Sequence, residues 1–269
     1  AALSGDGGDE LFAGYRMYKG EAWLSRYQRI PRFLRRGLIE PLILHLPDSR
    51  DSIFPEYLRR AKKFLRGAEK PFVERFSAWN EIFTRDDLDA LLVHQQNARE
   101  PSLSGIFSRR LQEMEDDIVN RMLYADLKES LPGDMLHKVD AMSMQNSLEV
   151  RVPLLDHRVC ETAFSIAGSW KLRRGQAKYI LIETFKDLLP PSVLTKPKWG
   201  FEIPISKWLK TDLKSLMEDH LSPERIKRQG LFHYPAIQSL TERLLANRSD
   251  TSWQLWNLIA FQVWYEQHL

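Results

Sequence analysis

The sequence predicts a mainly α fold with few short strands, and three observations carry that expectation. Apolar residues recur at three- and four-residue intervals, most clearly over 108–130, where Leu111, Met114, Ile118, Met122, Ala125 and Leu127 share a face. Capping residues, first-turn prolines and closing glycines punctuate most of the chain. Strand signals are confined to Val150 with Val152 and to Ala1–Leu3, which reads as the end of a strand.

The elements follow in order. Ser4–Glu10 is a turn that runs at once into the helix-like Leu11-Phe12-Ala13-Gly14-Tyr15. Arg26, Arg29, Arg32, Arg35 and Arg36 form a basic stretch, read as a solvated helix face rather than a nucleic-acid surface. Residues 45–55 are an irregular loop. A helix over Glu56–Leu65 is expected to stop at Gly67, and Pro71 suits a first helical position before Phe72, Val73 and Phe76. Thr84 caps a helix through Leu88, Leu91 and Leu92, with Asp86 and Asp87 in its first turn. The 108–130 helix is expected to end at Pro132-Gly133. Asp156 caps a helix to about Ala167, closed by Gly168, and Ala177–Leu189 forms another, stopped by Pro190-Pro191. After an irregular 190–205, Ser222-Pro223 and Pro235 mark two more starts. Thr251 opens the last helix, with Trp253, Trp256, Ala260 and Val263 on one face that is expected, with Trp264, to be core. No internal repeat divides the chain, which reads as a single unit over 1–269.

Composition narrows the function. The net charge of +3 over 269 residues is too small to demand a polyanionic partner. A single cysteine, Cys160, argues against a disulfide framework and for a reducing, cytoplasmic compartment. No apolar run approaches the roughly 18 residues of a membrane span. Histidines are scattered and no Cys-x-x-Cys occurs, which speaks against zinc.

The richest string is Ser4-Gly5-Asp6-Gly7-Gly8-Asp9-Glu10. Glycines let backbone amides approach a ligand, and carboxylates at such a turn hold a hard cation of the kind that arrives with phosphate. A calcium loop starting at Asp6 would need Glu at its twelfth position, where Met17 stands. A phosphate loop of the Gly-Lys-Ser/Thr type lacks its lysine, and a dinucleotide fingerprint fails at Glu10. By itself the string is either a helix-capping turn or a phosphate site.

Two further segments accompany it. Asp140-Ala141-Met142-Ser143-Met144 leads to Leu148-Glu149-Val150-Arg151-Val152-Pro153-Leu154-Leu155-Asp156, and Lys196-Pro197-Lys198-Trp199-Gly200-Phe201 follows. Together and in this order, the three strings resemble the synthetase domain of glutamine-dependent asparagine synthetases. The resemblance runs from the first residues to about Trp208. It implies the helical C-terminal portion of an α/β synthetase domain of the adenine-nucleotide α-hydrolase-like kind. It also implies ATP and Mg2+, and aspartate with ammonia drawn from glutamine as the other substrates. The activity implied is amidation of the aspartate side chain through an aspartyl adenylate. A homodimer is an assembly the resemblance allows.

The resemblance assigns roles residue by residue. Ser4 and Gly5 match the positions against ribose and adenylate. Asp9 matches the carboxylate that helps hold magnesium-pyrophosphate. Asp6 falls where many relatives have Glu, as a group for acid–base work or amine orientation, and is one methylene shorter. Lys198 matches the lysine that stabilises the α-phosphate transition state. Asp140, Ser143, Glu149 and Arg151 are candidates for the amino-acid pocket. Glu149 and Arg151, two apart on an extended segment, face one side. They either line that pocket or form a buried ion pair fixing the turn at Pro153. Asp156 reads as a helix cap.

The family's N-terminal cysteine nucleophile and its Ser-Gly-Gly-x-Asp-Ser pyrophosphate loop are not in the sequence. The chain therefore reads as the C-terminal part of a synthetase domain, expected to be inactive alone, its missing N-terminal half being one of its partners. Two other readings are a related amidotransferase acting on another carboxylate, in polysaccharide or peptide biosynthesis, and a non-catalytic helical scaffold. The scaffold reading predicts that Asp6, Asp9 and Lys198 do not converge.

Overall fold

The computed structural model describes residues 1–46, 53–94, 103–114, 117–195 and 203–268. Helices dominate, and the strands described are two short ones, β1 (Ala2–Leu3) and β2 (Val150–Arg151). They pair in parallel, Ala2 with Val150 and Leu3 with Arg151. The mainly α expectation and both strand signals therefore hold.

Local signals set most helix starts. Thr84 caps Arg85–Leu91 through a reciprocal box: its hydroxyl accepts from the Asp87 amide while the Asp87 carboxylate accepts from the Thr84 amide. Asp156 accepts from the Arg158 amide at 2.9 Å and opens His157–Ser165. Prolines stand in the first turns of Pro223–Gln229 and Tyr234–Leu245. Gly230, in the left-handed region at φ 70°, closes the former by donating to the Ile226 carbonyl.

Four expectations are corrected. The 108–130 helix is broken into Leu103–Glu113 and Ile118–Ala125, followed by a π-helix over Asp126–Leu136. The break follows from Asp117. Its carboxylate caps the second helix at the Asn120 amide and also accepts from the Gly168 amide at 2.7 Å, contacts that apolar spacing does not encode. Pro132 lies inside the π-helix instead of ending it, and, having no N–H, leaves one hydrogen bond of that winding unmade. Gly67 does not stop its helix, which runs over Ile53–Ala68 with Gly67 buried. The buried face of Ser252–His268 is Leu255, Leu258, Ile259 and Gln262, at the i, i+3, i+4, i+7 spacing; Trp256 packs half-buried against the same core, while Trp253 and Trp264 are exposed.

The chain divides into two compact units, each drawn from three stretches. The first comprises Ala1–Pro31, Lys70–Ser77 and Pro101–Lys198, and the second Arg32–Glu69, Ala78–Glu100 and Trp199–Leu269. In the first, Leu11, Phe12 and Ala163 are buried together against Leu127, Leu155, Val159, Ile180 and Leu181. Complete burial of a side chain such as Leu11 contributes about 1.5–3 kcal/mol. The helix after the glycine-rich turn is thus clamped to the segments on either side of residue 155. In the second unit the core gathers Leu91, Ile205, Leu209, Met217, Ile226, Ile237, Leu244, Leu255 and Ile259.

Candidate active site

The parallel pairing of β1 with β2 makes one structure of two motifs far apart in sequence. Beyond the strands the ladder continues, the Ser4 amide donating to the Arg151 carbonyl at 2.9 Å. Both strands therefore end side by side, β1 in the Ser4–Glu10 turn and β2 in Val152-Pro153. The carboxyl ends of parallel strands are where α/β proteins place ligands.

Leu154 and Leu155 form the floor of the turn. Gly7 sits at φ 83°, and a Cβ there would lie 2.2 Å from Leu155 Cδ2. A Cβ on Gly8 would meet Leu154 Cδ1 at 3.0 Å. Only glycine at position 7 satisfies both the left-handed backbone and the contact below.

The three carboxylates of the turn point to three environments. Asp6, half-buried, accepts a hydrogen bond from the Ser4 hydroxyl at 2.5 Å. Asp9 pairs with Lys178, Oδ1 to Nζ, at 2.9 Å, with both side chains about one quarter exposed. Glu10 turns inward, is buried, and accepts from the Tyr15 hydroxyl. Burial raises the Glu10 carboxyl above its ordinary range, opposed by the Tyr15 hydrogen bond. The same contact and burial raise Tyr15. Next to this pair, Tyr18 donates to Asp126 Oδ2 at 2.5 Å and Ser130 to Oδ1 at 2.9 Å. The rings of Tyr15 and Tyr18 are 5.9 Å apart. Two tyrosine–carboxylate pairs, one on the turn and one at the start of the π-helix, thus lie side by side through their rings.

Lys178 escaped the sequence reading. It occupies the left-handed region at φ 54°, its amide donates to the Phe12 carbonyl at 3.0 Å, and its ammonium reaches Asp9. A non-glycine residue held in that region at a cleft marks a position that tertiary contacts over-determine. Gly14 shares in this arrangement, since a Cβ there would lie 1.6 Å from Asp9 Oδ1 and 2.5 Å from Lys178 Cε. The only hint in the sequence is a glycine interrupting an apolar stretch.

The pocket candidates separate. Glu149 and Arg151 form an ion pair at 2.9 Å, but their side chains are 59% and 68% exposed, so the buried version of that pair is corrected. Asp140 is exposed, and Ser143 donates to the Asp140 carbonyl at 3.2 Å. Among the described residues no hydrogen bond or ion pair joins either to the Ser4–Glu10 turn. Asp156 is the cap it was expected to be. Hydrogen bonds from Arg158, guanidinium and amide, hold its carboxyl down at about 2. Lys198 lies outside the described residues.

Among the described residues no three His, Cys, Asp or Glu side chains gather as a metal cage. Asp9 presents one carboxylate, paired in this structure with the Lys178 ammonium.

The asparagine synthase family matches the chain over residues 1–266. The chain belongs to that family. It is 31% identical over 265 residues to glutamine-hydrolyzing asparagine synthetase 1 of Bacillus subtilis, covering 98% of this chain and 40% of that protein. It is 35% identical over 86 residues to asparagine synthetase 3 of the same organism, covering 29% of this chain and 14% of that protein. The Gallus gallus enzyme is 33% identical over 101 residues, covering 36% of this chain and 18% of that protein. The chain thus spans about 40% of the length of the Bacillus subtilis relative it matches throughout. No solved structure matches it. Among the described residues no helix is long and apolar enough to cross a membrane.

Proposed function

We propose that this chain belongs to a cytoplasmic enzyme that amidates aspartate to asparagine at the expense of ATP, drawing ammonia from glutamine. The observation that carries the reading is the joining of the Ser4–Glu10 turn to the Glu149–Asp156 segment, with Lys178 fixed on Asp9. Family membership supports the same chemistry. ATP would lie across the ends of β1 and β2, with Ser4 and Gly5 against the ribose and adenylate. Asp9 would hold magnesium together with the phosphates, whose charge the ion neutralises. Lys178, positioned beside Asp9, would exchange its carboxylate partner for a phosphate oxygen, and Lys198 would meet the α-phosphate. An ammonium on a flexible stem suits that point-charge task.

The aspartate carboxylate would attack the α-phosphorus, forming the aspartyl adenylate and releasing pyrophosphate. Ammonia would then displace AMP. Asp6, held by Ser4, is the group on the turn for orienting or deprotonating the amine. Asp140, Ser143, Glu149 and Arg151 remain the proposed lining of the amino-acid pocket.

Aspartate-dependent exchange between pyrophosphate and ATP tests the reading in the full-length protein. Lys198→Ala and Lys178→Ala should each abolish exchange and leave glutaminase activity intact. Exchange at the unaltered rate in either variant would refute that lysine's role, and exchange that requires another carboxylate would refute aspartate as acceptor. The 269-residue chain alone, given aspartate, ATP and ammonia, should make no asparagine. Positioning of the reactants can supply about 7–11 kcal/mol of such a barrier, and a partial site forfeits it.

A further inference from the structure

The second unit holds a cleft of about 590 Å3 that the proposed chemistry does not use. Lys62, Arg243, Arg248 and His45 line it, together with Glu242 and Ser249. Two guanidinium groups and an imidazole thus line the cleft against one carboxylate, with Lys62 already donating to the Leu46 carbonyl at 2.5 Å and Glu242 accepting from Gln238 at 2.9 Å. Among the described residues neither Arg243 nor Arg248 forms an ion pair, and Arg243 Nε donates to the Ser239 carbonyl at 3.4 Å. They are set on one turn. Asn247, in the left-handed region at φ 53°, reverses the chain after Tyr234–Leu245, and the Arg248 and Ser249 amides both donate to the Arg243 carbonyl, at 3.0 and 3.4 Å. The Ser249 hydroxyl is buried with no hydrogen-bond partner. His45 donates from Nδ1 to the Pro41 carbonyl at 2.7 Å, which fixes its ring and leaves Nε2 for another partner.

Like charges gathered in a cleft raise its potential and concentrate counter-ions. The planar guanidinium fork matches phosphate oxygens in pairs, and an unpaired hydroxyl donor completes such a cradle. We propose that this cleft is a binding site for a phosphate-type anion. Leu44 and Leu46, both exposed, line its rim, so the phosphate can be that of a soluble compound or of a lipid headgroup with its apolar part on the leucines.

Titration of the 269-residue chain with inorganic phosphate, at constant ionic strength and followed by NMR of arginine side chains and amides, tests the site. Saturable shifts confined to His45, Arg243, Arg248 and Ser249 are expected. Arg243→Gln with Arg248→Gln should weaken binding at least tenfold, and Lys227→Gln with Arg228→Gln, an equal loss of charge on Pro223–Gln229, by less than twofold. A second arm measures co-sedimentation with phosphatidylglycerol–phosphatidylcholine vesicles against phosphatidylcholine alone. Loss of anionic-vesicle binding in the double variant would assign a lipid headgroup as the source, and phosphate binding without vesicle binding a soluble one. Absence of both, or an equal loss in the Lys227→Gln, Arg228→Gln variant, would overturn the proposal. Circular dichroism checks that the double variant folds, and Arg248→Gln, at an exposed position, replaces it if it does not.

Discussion

Asp126→Asn should make this protein more stable at neutral and alkaline pH. Asp126 is 2% exposed, and burial raises its carboxyl from 3.8 to about 6, while hydrogen bonds from Tyr18 and Ser130 oppose the rise and the nearby Glu10 adds to it. A folded-state value above the unfolded one means that the native protein binds the proton more tightly. Its stabilising contribution is complete below about pH 3.8 and is lost as pH rises through about 6. Above that pH the native state carries a buried charge costing about 3 kcal/mol relative to the unfolded chain, at 1.36 kcal/mol for each tenfold change in proton affinity. Asparagine has the same shape and no charge, and the hydroxyls of Tyr18 and Ser130 can rotate to meet its amide. The gain should approach 3 kcal/mol at pH 8 and vanish toward pH 4. Urea unfolding of both proteins across that range measures it. A variant less stable than the parent at pH 8, or a difference that does not change with pH, would refute the argument.

Tyr18→Phe removes one donor from the same buried carboxylate and should cost about 1–3 kcal/mol at pH 8 by urea unfolding. In the Asp126→Asn background its cost should be smaller. Gly7→Ala must adopt a left-handed backbone and displace Leu155, for about 2–4 kcal/mol in thermal or urea unfolding. Leu155→Ala should recover part of the Gly7→Ala loss when the two are combined, because it removes the clash but not the backbone strain. Gly14→Ala must turn Asp9 off Lys178. That pair is partly exposed, so stability should fall by no more than about 1 kcal/mol, while pyrophosphate exchange in the full-length protein should fall at least tenfold.

Much of the helix layout was legible because its signals are local. Thr84 with Asp87, Asp156, Pro223 and Pro235 each act within one turn of chain, and each marks a start that the structure keeps. The errors arose where a distant contact overrode the local pattern. Asp117 breaks an unbroken apolar period because its second oxygen binds Gly168, 51 residues away. Trp253 and Trp264 look like core in isolation, but the core of the second unit takes the leucine face, with Trp256 packed against it.

The sequence by itself determined the helical class, the two strand remnants, the family and the carboxylate-rich turn, since three ordered motifs carry that information in residue identity alone. Only the tertiary structure decided what each carboxylate does. Asp9, Glu10 and Asp126 are all acids in the sequence. The fold leaves the first partly exposed beside Lys178, and buries the other two under the hydroxyls of Tyr15 and Tyr18. A carboxylate's proton affinity depends on its desolvation and on the charges and donors around it. For Asp126 those are set by Tyr18, 108 positions away along the chain, and the partner of Asp9, Lys178, is held beside the turn by its own amide on the Phe12 carbonyl.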